Sequence, residues 1–137
     1  MLIVKGPPIS VRLSEPVDLL VREEAERSGR SRSQVVEELA DEAARLRLFP
    51  GLGFRGPEPR RAHVVGSGLD VWQIVELLEE YGSDHEALLA DHPLLEERAL
   101  TLAHAYAHRF PEEIELHRRR QHRPLEELQA RYPFIAT

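Results

Sequence analysis

The first pattern in the chain is a short alternation of apolar and polar residues ahead of two helical patterns. Between Pro8 and Ser14, apolar side chains at positions 9, 11 and 13 alternate with Ser10 and Arg12. Because side chains on a strand point to opposite faces with a period of two, Ser10 and Arg12 share one face. No second strand follows nearby, so we expect this strand to pair with the same strand of a second chain.

Two amphipathic helices are predicted directly after this strand. The first begins at Ser14-Glu15-Pro16, where serine is a typical N-cap and proline is tolerated in the first turn. It ends at Gly29, the residue type that most often follows a helix C-terminus. The second begins at Ser31, which has the spacing of a capping box with Gln34. Strand and helices together predict one compact domain over residues 1–48.

The turn between the two helices has the composition of a phosphate contact. Arg30, Ser31, Arg32 and Ser33 stand together where the second helix begins. Free backbone amides and the helix dipole favour an anion at such a position. Capping the helix requires one hydroxyl and neither arginine, so we interpret the group as contacts to DNA phosphates. A helix cap without DNA contact is the alternative.

The order of these elements resembles the ribbon-helix-helix family of bacterial repressors and antitoxins. The resemblance rests on the alternating strand, on Leu13-Ser14-Glu15, and on Gly29-x-Ser31-x-Ser33 before the second helix. It covers about a third of the chain. It implies an intertwined dimer whose two strands enter the DNA major groove, with Ser10 and Arg12 contacting bases. Pro8, at the third contact position, departs from the family pattern because it offers no hydrogen-bonding group.

A change of composition separates this domain from the rest of the chain. Residues 49–68 are rich in glycine and proline, which predicts a linker or extended arm with a short strand at residues 62–65. Three arginines in this stretch are candidates for contacts with a partner: Arg55, Arg60 and Arg61.

Helical patterns resume at Asp70, which has capping-box spacing with Gln73. A short helix with a capping-box pattern at Ser83, a tight turn and a third helix to about Arg109 follow. This order predicts a trihelical, helix-turn-helix-like domain over residues 69–122, in which the basic run at positions 118–120 is a solvated helix end. Residues 123–137 form a tail whose apolar side chains are candidates for partner binding: Tyr132, Phe134 and Ile135.

This second part resembles the small bacterial domains known as domain of unknown function 433. The matching stretches are residues 66–78, 90–95, 103–108 and 110–114. Such domains are similar to homeodomain-like bundles with a short β arm. Joined to a ribbon-helix-helix head, the chain resembles VapB-type antitoxins, and this resemblance implies a PIN-like ribonuclease toxin as the partner.

Charge and composition narrow the range of functions. The chain of 137 residues has 18 basic and 24 acidic residues, and division at residue 48 gives 8 and 9 before it, 10 and 15 after it. The acidic excess therefore lies mainly in the second part, which suits a protein partner better than DNA. The chain has no cysteine, which excludes disulfides and thiolate chemistry. No apolar run approaches the roughly 18 residues of a membrane span, so we expect a cytoplasmic protein.

The sequence offers little support for an enzyme. His104 and His108 have the i, i+4 spacing of two metal ligands on one helix, but Ala105 stands where a zinc protease requires glutamate. The sequence has no glycine-rich phosphate loop and no nucleophile elbow. We therefore expect no enzyme activity, no metal and no cofactor.

These patterns together predict a mainly helical DNA-binding antitoxin, a homodimer or larger, that represses its own operon and binds its toxin through residues 49–137. Its partners would be double-stranded operator DNA and the toxin, and not a membrane. One alternative is a ribbon-helix-helix repressor without a toxin, which would sense a small ligand. Another is an assembly module whose ribbon serves only to dimerise. DNA binding that weakens steeply with salt would exclude the assembly module. A neighbouring gene for a small nuclease with an acidic site would argue against the repressor without a toxin.

Overall fold

The computed structural model describes residues 4–122 and residue 130, and it is mainly helical with one small antiparallel sheet. The chain divides into two compact units, Met1–Ala44 and Arg45–Thr137. None of the helices in the described residues is both long and apolar enough to cross a bilayer. The elements are α1 Glu15–Ser28, α2 Arg32–Leu48, β1 Leu52–Arg55, β2 Arg61–Val64, α3 Val71–Glu80, α4 His85–Asp91, α5 Glu97–Arg109 and α6 Pro111–Gln121.

The two helices predicted after the N-terminal segment are confirmed. α1 ends at Gly29, whose φ of 69° lies in the left-handed region that glycine adopts without a Cβ penalty. The capping box of α2 is also confirmed. The Gln34 backbone N–H donates to Ser31 Oγ at 3.1 Å, and the Ser31 backbone N–H donates to Gln34 Oε1 at 3.0 Å. Ser14 stands at the N-cap of α1, but its side chain makes no capping hydrogen bond.

The described residues ahead of α1 form no strand with any other described part of the chain. A strand requires a partner for its backbone N–H and C=O groups, and the sheet in the second unit does not extend to this segment. The apolar side chains of Ile9 and Val11 are 84% and 64% exposed. Pairing with a second copy of the chain therefore stays a prediction.

The first unit buries very little apolar surface. In its described residues only Val21 and Val35 are buried. Chains of about 40 residues seldom form a sufficient hydrophobic core by themselves. The described residues of this unit therefore leave several apolar side chains uncovered. The exposed apolar side chains on the helices of this unit are Val17, Leu19, Leu20 and Leu39.

The glycine- and proline-rich stretch, for which the composition favoured a linker or arm, instead forms a hairpin that belongs to the second unit. β1 and β2 pair antiparallel, with Leu52 opposite Val64 and Arg55 opposite Arg61. Leu52, Val64 and Ala62 are buried in the core of this unit. Glycine and proline shape the turn, and the alternating apolar residues of β2 supply the face that packs.

Helices α3 to α5 follow the predicted order, with small differences at their ends. The capping residue of α4 is Asp84, whose side chain accepts the Ala87 amide at 3.1 Å, and not Ser83. α5 begins at Glu97, after the tight turn. Together with α6 these helices enclose one core with the hairpin. Its helical members are Val71, Trp72, Ile74, Leu78, Leu88, Ala99, Leu100, Ala103, Tyr106 and Ile114.

The prediction of three helices over residues 69–122 is wrong, because the described chain has a fourth, α6, in this unit. Ile114 and His117 on α6 are buried. The basic run is also not simply solvated: Arg118 Nη2 lies 2.7 Å from Glu79 Oε2, and its Nε donates to Glu76 Oε1 at 3.3 Å. Apolar positions and ion pairs on α6 hold it against α3.

Candidate functional site

The residues predicted to contact DNA lie in the first unit, on the N-terminal segment and at the start of α2. Ser10 and Arg12 are exposed. Arg12, Arg32 and Ser33 line one open groove of about 900 Å³, together with Lys5. The fold therefore brings a predicted base contact and two predicted phosphate contacts to the same groove, although they are about twenty residues apart in sequence.

Several cations of this region are paired with carboxylates of the same unit. The pairs are Lys5–Glu37 at 2.6 Å, Arg30–Glu38 at 2.8 Å and Arg32–Asp18. The Arg30–Glu38 pair is the most enclosed of the three, with each side chain 20% exposed. Arg30 therefore has a structural partner within α2, which the sequence analysis did not anticipate.

The two serines at the start of α2 differ in their surroundings. The Ser31 hydroxyl accepts the Gln34 amide and so serves as the helix cap. Ser33 is exposed beside Arg32, whose side chain is 56% exposed. Arg32 and Ser33 are thus the members of the predicted group that are best placed to meet a phosphate, and that contact stays a prediction.

Asp70 is the polar centre of the second unit. Its carboxylate accepts hydrogen bonds from Arg55 Nε at 2.8 Å, Arg61 Nε at 2.7 Å and Trp72 Nε1 at 3.1 Å. The residue is only 4% exposed, and its backbone amide donates to Gln73 Oε1 at 2.8 Å, which confirms the predicted cap of α3. One carboxylate therefore joins both hairpin strands to the start of α3.

These contacts account for the three arginines that were candidates for partner binding. Arg55 and Arg61 face Asp70, and Arg60 donates to the backbone carbonyl of Phe54 at 2.9 Å. The structure therefore gives all three a role in holding the hairpin. The sequence contained a signal for this ion-pair cluster. In a hairpin Arg55 and Arg61 are cross-strand neighbours, and two adjacent cations favour a nearby carboxylate.

The pKa of the Asp70 carboxyl lies below its ordinary value. Burial by itself would raise this pKa, but hydrogen bonds from Arg61 and Arg55 favour the ionised form and outweigh it. A depressed folded-state pKa means that the carboxylate stabilises the fold above its unfolded pKa of about 4. This stabilisation is lost as the pH falls through the folded-state pKa.

Asp70→Asn is expected to destabilise the second unit by about 3 kcal/mol at neutral pH, because two guanidinium groups lose their shared counter-ion. Asparagine is nearly isosteric and is an equally good N-cap, so the change keeps the shape and the cap but removes the charge and one of the two acceptor oxygens. Urea unfolding followed by Trp72 fluorescence measures the effect.

The matched control for this change is Asp84→Asn, at the exposed N-cap of α4, which should change the free energy of unfolding little. The difference between Asp70→Asn and the unmutated protein should shrink as the pH falls below about 4. An equal loss for both variants, or a difference that does not change with pH, would contradict the role of the Asp70 charge.

The sequence analysis missed two other buried polar side chains. Tyr106 is fully buried, its hydroxyl donates to Glu113, and it accepts from Arg45 Nη1 at 2.8 Å. Burial raises the pKa of Tyr106, so it stays protonated at neutral pH. His117 is 2% exposed, and burial lowers its pKa. The neutral imidazole is therefore compatible with the core, and protonation below its unfolded pKa of about 6.5 opposes folding.

The two histidines with metal-ligand spacing lie in the described residues, whereas the candidates of the tail do not. His104 and His108 are both exposed on α5. Among residues 4–122 and residue 130, no group of three or more histidines and carboxylates could hold a metal ion. Tyr132, Phe134 and Ile135 lie outside the described residues.

Comparison of the chain with models of known families, with curated proteins and with solved structures gives no match. The resemblances to the ribbon-helix-helix family and to VapB-type antitoxins therefore rest on the motifs quoted above.

Proposed function

We propose that this protein is a homodimeric, DNA-binding antitoxin that represses its own operon and neutralises a PIN-like ribonuclease toxin. The observation that carries the proposal is the uncovered apolar surface of the first unit. Ile9 and Val11 are exposed on the N-terminal segment, and the apolar residues named above are exposed on α1 and α2. The described residues of the unit leave these side chains uncovered.

A second copy of the chain is the occupant that fits this surface. Its N-terminal segment would pair with residues 8–14 and satisfy the backbone groups of both strands. The faces with Ile9, Val11 and Leu13 would then be buried against the helices of both copies. This arrangement also explains why so short a unit folds, since intertwining doubles the chain that contributes to one core.

Pairing would leave Ser10 and Arg12 of both copies on the opposite face of the ribbon. A two-stranded ribbon has the width of the major groove, and arginine can donate two hydrogen bonds to guanine. Arg32 and Ser33 are exposed at the start of α2 and are candidates for the flanking phosphates. The geometry supports base contact by Arg12 and phosphate contact by Arg32.

The second unit supports a separate task. It has its own core of hairpin and helices, and the part of the chain after residue 48 holds 15 of the 24 acidic residues. Such a surface repels DNA and can bind a protein. With the resemblance to VapB-type antitoxins, this division assigns toxin binding to the residues after the first unit.

One observation favours the assembly module as a second candidate. Residues 1–44 contain six basic and nine acidic residues, and five of the six cations pair with carboxylates of the same unit: Lys5, Arg22, Arg27, Arg30 and Arg32. A surface neutralised in this way attracts DNA less than an open basic patch. In that case the ribbon would only dimerise the chain.

The test is to recover the tagged full chain from its native cell, with and without nuclease treatment. We expect a small ribonuclease at fixed stoichiometry in both samples, and one DNA fragment from upstream of its own gene in the untreated sample. DNA without a ribonuclease would leave a repressor without a toxin. Recovery of neither would overturn the proposal in favour of the assembly module. An untagged strain is the control.

A further inference from the structure

We infer that Asp18 competes with DNA phosphate for Arg32 and thereby holds the DNA affinity of this protein below the value that its cations would otherwise give. The inference rests on the proposed function and names a residue that tunes it. In the free protein the Arg32 guanidinium pairs with the Asp18 carboxylate. DNA can use that guanidinium fully only when this pair opens.

The geometry of Asp18 suits it to this role. The residue lies in the first turn of α1, and its Oδ2 is 2.9 Å from Arg22 Nε while its Oδ1 pairs with Arg32 Nη2. Its side chain is 19% exposed, whereas that of Arg32 is 56% exposed. The carboxylate is therefore held in place by two arginines, and the guanidinium it neutralises faces solvent.

Asp18 also lies beside the group that a phosphate would have to reach, because its Oδ1 pairs with Nη2 of the exposed Arg32. A phosphate that reaches Arg32 thus comes close to a fixed carboxylate of like charge. Repulsion between the two anions and the cost of opening the pair both weaken binding.

The other ion pairs of the unit are less suited to control this contact. Glu37, the partner of Lys5, is 62% exposed and is free to follow its flexible cation. Arg30, in the turn before α2, and Glu38 on α2 are each only 20% exposed, so their pair can persist when DNA is bound. Glu24 and Arg27 form a similar pair, but they lie toward the C-terminal end of α1 and do not line the groove that contains Arg32. Among the paired carboxylates that line this groove, Asp18 is the one that is largely enclosed while its partner Arg32 is more than half exposed.

The test compares Asp18→Asn with Glu23→Gln, an exposed residue of the same helix whose change removes the same charge. The probe is a labelled duplex with the DNA directly upstream of the coding sequence, and fluorescence anisotropy measures its Kd. An exposed ion pair is worth a factor of about two to five in an equilibrium constant. With one pair in each copy of a dimer, D18N should bind about five- to twentyfold more tightly than E23Q.

A double-mutant cycle isolates the competition for Arg32. In an Arg32→Ala background, Asp18→Asn should tighten binding no more than Glu23→Gln does, because the contested cation is gone. Circular dichroism and light scattering check the fold and dimerisation of each variant. Asp18→Ser replaces Asp18→Asn if the latter does not fold, since serine is also tolerated near a helix start.

The outcomes separate the inference from the function on which it rests. Binding of DNA by the unmutated protein, with D18N no tighter than E23Q, would overturn the inference alone. An equal gain from D18N with and without Arg32 would also overturn it, because the gain would then be a general charge effect. Absence of DNA binding by every variant would overturn both the proposed DNA-binding function and the inference.

Discussion

Arg12→Ala is expected to abolish specific operator binding while the protein stays dimeric. Arg12 is exposed, and in a paired ribbon both copies would point away from the apolar face. A good bidentate contact to guanine is worth about 1–3 kcal/mol of discrimination, so the loss of two should weaken operator binding by at least about thirtyfold. Because alanine removes no apolar contact, the ribbon itself should be unaffected.

The measurement is an anisotropy titration of the upstream duplex and of a scrambled duplex, at one salt concentration. The control is Arg27→Ala, which removes the same charge. Arg27 is an exposed residue in the last turn of α1. R12A should lose its preference between the duplexes, and R27A should keep it. If R12A binds the operator as tightly as the unmutated protein does, Arg12 has no role in base contact.

Val11→Asp is expected to dissociate the dimer and with it all specific DNA binding. Val11 is 64% exposed in the single chain, and we propose that it is buried where two strands pair. Two carboxylates would then be enclosed next to each other, at a cost of several kcal/mol, which corresponds to about a hundredfold or more in the dimer Kd. Light scattering over a range of concentrations measures this change.

Ser10→Asp is the matched control, because it introduces the same carboxylate one residue away on the other face. It should leave the dimer intact but weaken DNA binding, since its charge would face the phosphates. A dimeric V11D, or equal dissociation of both variants, would contradict the alternating faces of the ribbon. If V11D and S10D are both dimeric and neither binds DNA, the assembly module is favoured.

The local features of the fold could be predicted from the sequence because they depend on residues a few positions apart. The left-handed turn at Gly29 and the reciprocal bonds of Ser31 and Gln34 each need one turn of helix and no distant contact. The cap of α3 by Asp70 and Gln73 is of the same kind. Such bonds can be predicted because they depend only on local geometry, although Ser14 at the start of α1 shows that a suitable residue does not always form its cap.

The candidate site was harder to predict from the sequence because its charged residues pair with partners that are distant along the chain. The sequence places Arg32 beside two serines and suggests a phosphate, but Asp18 is its ion-pair partner from the preceding helix. Arg55 and Arg61 likewise stand in a stretch that resembles a linker and yet meet Asp70. The spacing of apolar and polar residues along the chain does not indicate which carboxylate will pair with a given arginine.

What the sequence by itself determined is the order of helices α1 to α5, the glycine end of α1, the caps of α2 and α3, and the alternation of the N-terminal segment. Each of these follows from backbone geometry and from the spacing of apolar residues along a few turns. Only the tertiary structure decided that the glycine-rich stretch is a hairpin, that α6 packs, and which carboxylate neutralises each arginine. Those outcomes depend on which surfaces meet when the core closes, because burial selects among many possible partners for one charge.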